Sequence, residues 1–277
     1  MTRWLLLFLP VLGACETMAP RLPPGAQRFT PPAVYQQWWQ LTEECSGRSG
    51  RFADVRWYRV PGATDIPLGD GTMVNGLWQP NGNEIVLGGG TELEGDLVRH
   101  EMLHALLRSP GHDRAAFVGR CGGVVVCIGP CLTDGGPPPP PDPAAVIVAP
   151  TALEIGVEVV PNAPGASVND GTFMMIITAR NPAPTPVIVQ LPPSGDAGPS
   201  VTYGYRLTDG SGEVDYALRL DAPEETRFAP LETKRLIFDF HVGSEQDRYT
   251  LAPGTYRFNG SYGNVWAPDP PTVTVSP

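Results

Sequence analysis

The sequence is poor in positive charge and in long apolar runs. Its 277 residues carry 19 Lys and Arg against 29 Asp and Glu, which gives a formal net charge of −10. Because nucleic-acid binding depends on basic side chains that neutralise phosphates, this balance gives no electrostatic basis for a nucleic-acid partner. No apolar run reaches the roughly 20 residues that a membrane-spanning helix needs. The sequence therefore predicts neither nucleic-acid binding nor a transmembrane helix.

Histidine is also scarce, and three of the four histidines lie close together. His100 and His104 flank Glu101 in the sequence His-Glu-Met-Leu-His, and His112 follows. On a helix, residues four apart share a face, so His100 and His104 can present nitrogens to one metal ion. Glu101 stands beside them, where its carboxylate can take a proton from a metal-bound water. Chance predicts this pattern on the order of 0.002 times in such a composition.

This pentapeptide resembles the signature of the zincin metallopeptidases, in which one helix bears two histidines and a glutamate. The resemblance implies a zinc-dependent peptidase in which His100 and His104 bind Zn²⁺ and Glu101 is the catalytic base. The substrate would be a peptide or protein whose scissile carbonyl the zinc polarises. No pattern singles out the donor that stabilises the transition state among three candidates, Tyr58, Arg108 and Arg114.

A catalytic zinc site needs a third protein ligand, and His112 is the first candidate. Pro110 disfavours helical geometry in the residue before it, and Gly111 permits a reversed backbone. The helix should therefore end near Arg108 and the chain should turn back. The gap of eight residues from the second histidine differs from the six of the metzincins, so the resemblance is to the zincins broadly. Asp113 is the alternative, as a ligand like that of the aspzincins or as a partner that orients an imidazole.

The residues around the motif predict its secondary structure. Asp96 can cap the start of the helix. Upstream, residues 78–87 read as a hairpin around Asn81 and Gly82, whose second strand lies just ahead of the helix. An edge strand followed by such a helix resembles the zincin fold. We therefore expect an α+β, zincin-like N-terminal domain.

The start of the chain is typical of a bacterial lipoprotein. A short basic segment and an apolar stretch precede a Leu-Gly-Ala-Cys sequence that ends at Cys15 and looks like a lipobox. Residues 1–14 would be the signal peptide, Cys15 the lipidated residue, and residues 15–30 a proline-rich tether. We expect the protein to be lipid-anchored through Cys15 in the bacterial cell envelope, at the outer membrane or the cell surface. An ordinary cleaved secretory signal is the alternative.

Four cysteines remain if Cys15 is lipidated: Cys45, Cys121, Cys127 and Cys131. An even number in an exported chain predicts two disulfides, with three possible pairings. The rival interpretation, an all-cysteine zinc site, lacks the closely paired spacing that such sites use. Because three of these cysteines follow the metal-ligand region, the bridges should fasten the loops that carry His112.

A glycine and proline run divides the chain into two units. Residues 136–145 would form a stiff, extended linker. The zincin-like metallopeptidase domain spans 31–135 and would open with a helix over 33–44, whose aromatic side chains, including Trp38, are expected in the core. The second unit spans 146–277.

The second unit alternates short β-rich runs with turn residues, a pattern typical of an all-β sandwich. Eight runs are predicted to be strands: 153–160, 173–179, 187–191, 203–207, 216–220, 236–242, 256–262 and 272–275. The motifs at 181–182, 230–235 and 251–256 are similar to the immunoglobulin-like domain of the bacterial intracellular proteinase inhibitor family. That resemblance implies the fold and not an inhibitory activity. His241 is interpreted as structural.

The sequence thus predicts a zinc metallopeptidase attached to an immunoglobulin-like domain, which would dock substrate or position the catalytic unit. The alternative is a non-catalytic surface lipoprotein whose zinc braces the fold and whose sandwich binds a partner or glycan. Structural zinc usually has four protein ligands, often cysteines, and this motif offers three histidines and a base. An inhibitor would leave the zinc motif unexplained. The sequence does not predict an oligomeric state.

Overall fold

The fold is described from a computed structural model. It describes residues 22–69, 71–125, 127, 143–161, 171–190, 201–209, 212–220, 225–243 and 250–276. The predicted signal peptide, Cys15, Cys131 and most of the predicted linker lie outside these residues. Within them, no helix is long and apolar enough to cross a membrane.

Within the described residues, to which the following counts of helices and strands refer, the protein is α+β and most of its regular structure is in strands. Its two α-helices are α1 (Val34–Ser46) and α2 (Gly95–Leu107). The first half has six strands: β1 (Gln27–Arg28), β2 (Arg56–Val60), β3 (Ile66–Pro67), β4 (Met73–Val74), β5 (Gly76–Gln79) and β6 (Glu84–Gly88). The second half has twelve: β7 (Val146–Val148), β8 (Glu154–Pro161), β9 (Thr172–Arg180), β10 (Val187–Gln190), β11 (Val201–Asp209), β12 (Gly212–Leu220), β13 (Glu225–Phe228), β14 (Thr233–Val242), β15 (Thr250–Leu251), β16 (Gly254–Tyr262), β17 (Val265–Trp266) and β18 (Thr272–Val275).

The first half is built on a four-stranded sheet in the order β1-β2-β6-β5. Strands β2 and β6 are parallel, whereas β1 and β5 pair antiparallel with their neighbours. Alternate side chains of the sheet, such as Trp57, Ile85 and Leu87, join α1 and α2 in one hydrophobic core. The helices therefore cover one face of this sheet, and α2 lies beside its edge strand β5.

The predicted hairpin is confirmed, since β5 and β6 pair with Gln79 opposite Glu84. The residue that adopts the left-handed conformation is Asn83, with φ of 49°, and not Gly82. Asn83 is held there because its side chain accepts a hydrogen bond from the Trp78 indole at 2.9 Å and donates one to the Asp54 carbonyl at 3.0 Å. These two bonds compensate for a conformation that a residue with a Cβ adopts at some cost.

The first helix is confirmed, with its boundaries moved toward the C-terminus. It begins at Val34, one residue later than predicted, and Ala33 occupies the N-cap position. Gly47 ends the helix in the left-handed conformation, with φ of 64°. Trp38 is 1% exposed, which places it in the core as the sequence predicts.

The described residues of the second half are mostly in strands, as predicted, with one short 3-10 helix at Pro150–Ala152. The eight predicted strands are present, and four further strands were not predicted: β7, β13, β15 and β17. Sheets with the orders β12-β11-β16-β17, β15-β14-β9-β8 and β13-β10-β7 enclose a second core that contains Phe173, Phe240 and Phe258. The strand β18 pairs with β16 at the side of the first of these sheets.

The sheet that contains β9 and β14 is buried on both faces. Phe173 and Phe240 point into the second core, whereas Met174, Ile176 and Ile237 belong to the core of the first half. Successive residues of a strand point to opposite faces, so each strand contributes to both cores. The two halves therefore pack against each other through this shared sheet.

Two disulfides involve described cysteines. Cys45, near the end of α1, is bonded to Cys121, which lies 76 positions later. Cys121 comes at the end of the segment that follows the His-Glu-Met-Leu-His motif. Cys127 is also disulfide-bonded. The prediction that bridges fasten the region around His112 is consistent with this arrangement, and Cys131 lies outside the described residues.

Replacing Cys45 and Cys121 together by serine should lower the free energy of unfolding by about 4 kcal/mol, because the bridge closes a long loop in the unfolded chain. Chemical denaturation of the oxidised proteins, compared at equal m-value, measures the difference. The serine variant still retains the Cys127 bridge, so any loss belongs to the first bridge. An unchanged free energy of unfolding would contradict this role.

Candidate metal site

The helix α2 carries the motif and ends where the sequence predicts. It spans Gly95–Leu107, and its last turn is closed by the N–H of Arg108, which donates to the carbonyl of His104. Arg108 itself takes the left-handed conformation, with φ of 54°, so the reversal predicted for Gly111 occurs three residues earlier. The predicted cap Asp96 lies inside the first turn, where its carboxylate accepts the N–H of Leu97.

Three imidazoles converge beyond this turn. Nε2 of His100 lies 3.2 Å from Nε2 of His104 and 3.2 Å from Nε2 of His112. In tetrahedral zinc sites with Zn–N bonds of about 2.0 Å, the ligand nitrogens stand about 3.3 Å apart. Both separations match the spacing of ligands around one tetrahedral ion, and the His104 and His112 rings lie close to each other, with centroids 4.8 Å apart.

The orientation of His104 is fixed by its other nitrogen. Nδ1 lies 2.8 Å from the carbonyl of Ser109, so the ring donates its hydrogen from Nδ1 and keeps a lone pair on Nε2. Burial, together with the nearby His100 ring, lowers the pKa of His104 to about 3. The turn after α2 therefore supplies a neutral imidazole with a metal-binding nitrogen directed at the cluster.

Asp113, the alternative third ligand, has another role. Its carboxylate accepts the N–H of Ala115 at 3.1 Å, and its carbonyl accepts the N–H of Phe117 at 2.9 Å. These bonds begin the π-helical turn Ala115–Arg120. His112, and not Asp113, thus directs its side chain to the other two histidines.

Glu101 points into the protein beside the cluster. The residue is 4% exposed, and Oε2 of its carboxylate is buried without a hydrogen-bond partner. Burial raises the pKa of this carboxyl to about 8, although a hydrogen bond from the backbone N–H of Trp78 acts in the opposite direction. An unpartnered buried oxygen is costly, and a cation or an exchangeable water proton beside it would supply the missing partner.

Cys127 approaches the cluster without being an available ligand. The ligand atoms of His100, His112 and Cys127 all lie within 4.8 Å of one another. However, Cys127 is disulfide-bonded, and zinc binds the deprotonated thiolate. The donors ready to bind a metal are therefore the three imidazole nitrogens.

Sequence reasoning missed the residue beneath the rings. The centroid of the Phe117 ring lies 5.0 Å from that of His100, 4.8 Å from that of His104 and 5.2 Å from that of His112. Phe117 is 1% exposed, and its buried ring packs against all three imidazoles. It therefore excludes water from that side and limits rotation of the three rings. No local sequence signal marks this phenylalanine, because its position depends on the π-helical turn.

Two other residues that the sequence analysis considered, Tyr58 and His241, lie apart from the cluster. Tyr58 packs against Val60 and Val86, on the sheet face opposite to the one that the helices cover. His241 is in β14, where it pairs with Thr250 of β15. Neither position supports a role at the metal site.

Comparisons with known proteins give no family. No known protein family and no curated protein matches the chain. Among solved structures it is similar to an alkylpurine DNA glycosylase from Pseudomonas fluorescens bound to DNA, at 11% identity and a TM-score of 0.29, over 46% of this chain and 31% of that one. It is also similar to the putative ApaA protein from Bordetella pertussis, at 15% identity and a TM-score of 0.26, over 45% of this chain and 94% of that one. A β-glucosidase from Listeria innocua matches at 13% identity and a TM-score of 0.25, over 45% of this chain and 16% of that one. Likeness at this level does not identify a fold or an activity.

The buried carboxyl predicts a pH dependence for the metal-free protein. The pKa of Glu101 is raised from 4.5 to about 8 in the folded state, so its protonated form stabilises the fold below pH 4.5 and this contribution is lost as pH rises to about 8. In Glu101→Gln the loss should be absent, so the difference between the two unfolding free energies should change by up to about 1.4 kcal/mol per pH unit. Denaturant unfolding in chelator between pH 5 and 8.5 measures it, and parallel curves would contradict it.

Proposed function

We propose that this protein is a zinc-dependent peptidase, with His100, His104 and His112 as the ligands and Glu101 as the catalytic base. The observation that carries the proposal is the convergence of three imidazoles, with Nε2 of His100 3.2 Å from that of each of the other two, at the helix that also bears the buried, unpartnered carboxylate oxygen of Glu101. Three protein ligands leave one position for water or substrate, as in catalytic zinc sites.

The residues have distinct chemical tasks. When bound there, Zn²⁺ would supply Lewis acidity, which acidifies water and polarises a carbonyl. Glu101 can accept the water proton at Oε2, because the positive charge of a bound ion would favour the ionised carboxylate, whereas burial favours the protonated one. Glu101 can then donate that proton to the leaving nitrogen, and Phe117 keeps bulk water from beneath the rings.

We propose that an extended peptide substrate approaches Glu101 along strand β5. The strand β5 is at the end of its sheet, and Trp78 on this strand turns its N–H away from β6, toward the Glu101 carboxylate. The backbone N–H of Gly76, two residues earlier, points in the same direction as that of Trp78, because backbone directions alternate along a strand. A Cβ on Gly76 would lie 3.2 Å from Cγ of Glu101. A substrate that adds to this edge would bring its carbonyl close to the base.

The alternative, a structural zinc site, is disfavoured by the state of Cys127. A closed site would need a fourth protein ligand, and the sulfur nearest the cluster is held in a disulfide. We further propose that the N-terminal half is zincin-like and that the C-terminal half is an immunoglobulin-like sandwich. Lipid anchoring through Cys15 remains a proposal, on a residue outside the described ones.

Replacing Glu101 by Gln should separate metal binding from catalysis. The amide keeps the shape of the side chain but cannot accept the proton, so zinc should stay at one per chain while peptide hydrolysis falls by roughly 10²–10⁴-fold. Mass spectrometry of the metal and cleavage of a quenched-fluorescent peptide library measure the two quantities. Glu94→Gln, at an exposed acid ahead of α2, is the matched control. An undiminished rate in the Glu101 variant would refute the base.

Replacing His112 or Asp113 by alanine decides between the two candidate ligands. His112→Ala should weaken zinc binding by more than about 100-fold, because loss of a ligand costs more than loss of its outer partner. Asp113→Ala should leave the affinity nearly unchanged and cost about 1 kcal/mol through the lost cap. Competition with a zinc chelator measures both. The reverse order of effects would make Asp113 the ligand.

A further inference from the structure

A buried arginine stands directly behind the metal cluster. Arg99, the residue before His100, is 0% exposed. Its Nη1 and Nη2 donate to the two carboxylate oxygens of Asp239, at 3.2 and 2.9 Å. Its Nε donates to the carbonyl of Val124 at 2.6 Å, and its guanidinium lies 5.5 Å from the centre of the Trp38 ring. The guanidinium is thus bound in its plane and stacked over an aromatic face.

This arrangement joins the two halves of the chain. Arg99 belongs to α2, whereas Asp239 belongs to β14 and lies 140 positions later. A bidentate pair of hydrogen bonds fixes both the distance and the rotation of a guanidinium relative to its carboxylate. Because Arg99 and His100 are consecutive residues of one helix, fixing the arginine fixes the direction in which His100 leaves α2.

The packing is built for this ion pair. Gly95, at the start of α2, lies where any Cβ would collide with the Asp239 carboxylate and with the Arg99 guanidinium. The Asp239 side chain is 11% exposed, so the charges have little access to water. A buried arginine that loses its partner retains an uncompensated charge, so neither partner is readily replaced.

Strand β14 also contacts the π-helical turn that bears Phe117. Lys234 of β14 donates from Nζ to the carbonyl of Gly119 at 3.0 Å, inside the π-helical turn that bears Phe117. The backbone N–H of Ile237 donates to the carbonyl of Gly123 at 2.9 Å. Strand β14 therefore contacts the ligand helix on one side and the turn beneath the imidazoles on the other.

We propose that strand β14 positions the metal site, with Asp239 acting on His100 through Arg99. The C-terminal half then completes the metal-binding unit, because its strand β14 fixes the position of α2 relative to the π-helical turn that bears Phe117. Asp239 touches neither substrate nor metal; it is a positioning residue. The part of this proposal that concerns turnover rests on the proposed peptidase function, but the part that concerns α2 does not.

Asp239→Asn in the full-length protein tests the proposal. It keeps the size of the side chain but removes the charge that Arg99 needs, so zinc affinity should fall by about tenfold or more, as for other residues that orient ligands. In the metal-free protein, amide hydrogen exchange across residues 95–107 should become faster than in the wild type. The Co²⁺-loaded protein should show an altered visible absorption spectrum. Asp239→Glu, which restores a carboxylate, should recover part of each effect.

Two control variants separate positioning from stability. Glu154→Gln removes an exposed ion pair with Arg180 on the same sheet, and Phe258→Leu weakens the second core without touching α2. Neither should change the Co²⁺ spectrum or selectively speed exchange in α2, even where Phe258→Leu matches the loss of global stability in Asp239→Asn. An Asp239 variant that is folded and keeps zinc affinity within twofold and wild-type exchange in α2 would overturn the proposal.

If Asp239→Asn fails to fold, Lys234→Gln carries the test, because Lys234 is partly exposed and its loss is milder. Faster exchange over residues 115–120 and weaker zinc binding are expected, and unchanged values for both would overturn the role of β14. A wild-type protein that binds no zinc would refute the peptidase proposal and the metal-site part of this one. The role of Asp239 in holding α2 would still stand or fall on the exchange measurements, which need no metal.

Discussion

The site depends on the close approach of three imidazole rings at and beyond the end of one short helix. Nε2 of His100 lies 3.2 Å from Nε2 of both His104 and His112, which is the spacing of nitrogen ligands around one ion. The fold maintains that approach through three independent supports: the Ser109 carbonyl on Nδ1 of His104, the Phe117 ring below, and the Arg99 pair behind. A metal ion bound between these nitrogens would also bring positive charge close to the buried oxygen of Glu101, so metal binding and ionisation of that carboxylate would favour each other.

The shared sheet explains why the small first half has a large β-rich partner. The first half contains two helices of 13 residues and a four-stranded sheet, which provide limited apolar surface for a core. Strands β9 and β14 supply Met174, Ile176 and Ile237 to that core. The Cys45–Cys121 bridge strengthens the same region. The second half thus contributes to the first as a packing surface as well as through individual contacts.

Local pattern predicts the motif helix well, because the four-residue spacing of His100 and His104 and the position of Pro110 are properties of neighbouring residues. His112 follows from the turn that those residues require. The contacts of Phe117 and Asp239 could not be predicted, because they depend on a π-helical turn and on a pairing across 140 positions. One signal was available: the uninterrupted apolar run 173–177 is typical of a strand buried on both faces, and it indicated a second packing surface.

X-ray absorption spectroscopy at the zinc edge of the zinc-loaded protein tests the central claim most directly. The account predicts three imidazole nitrogens at about 2.0–2.1 Å, one further light ligand such as water oxygen, and no sulfur. Loss of one imidazole from the spectrum of His112→Ala would assign the third ligand. A zinc–sulfur distance of about 2.3 Å in the wild type would contradict the account, because it would mean a closed site that includes a cysteine such as Cys127.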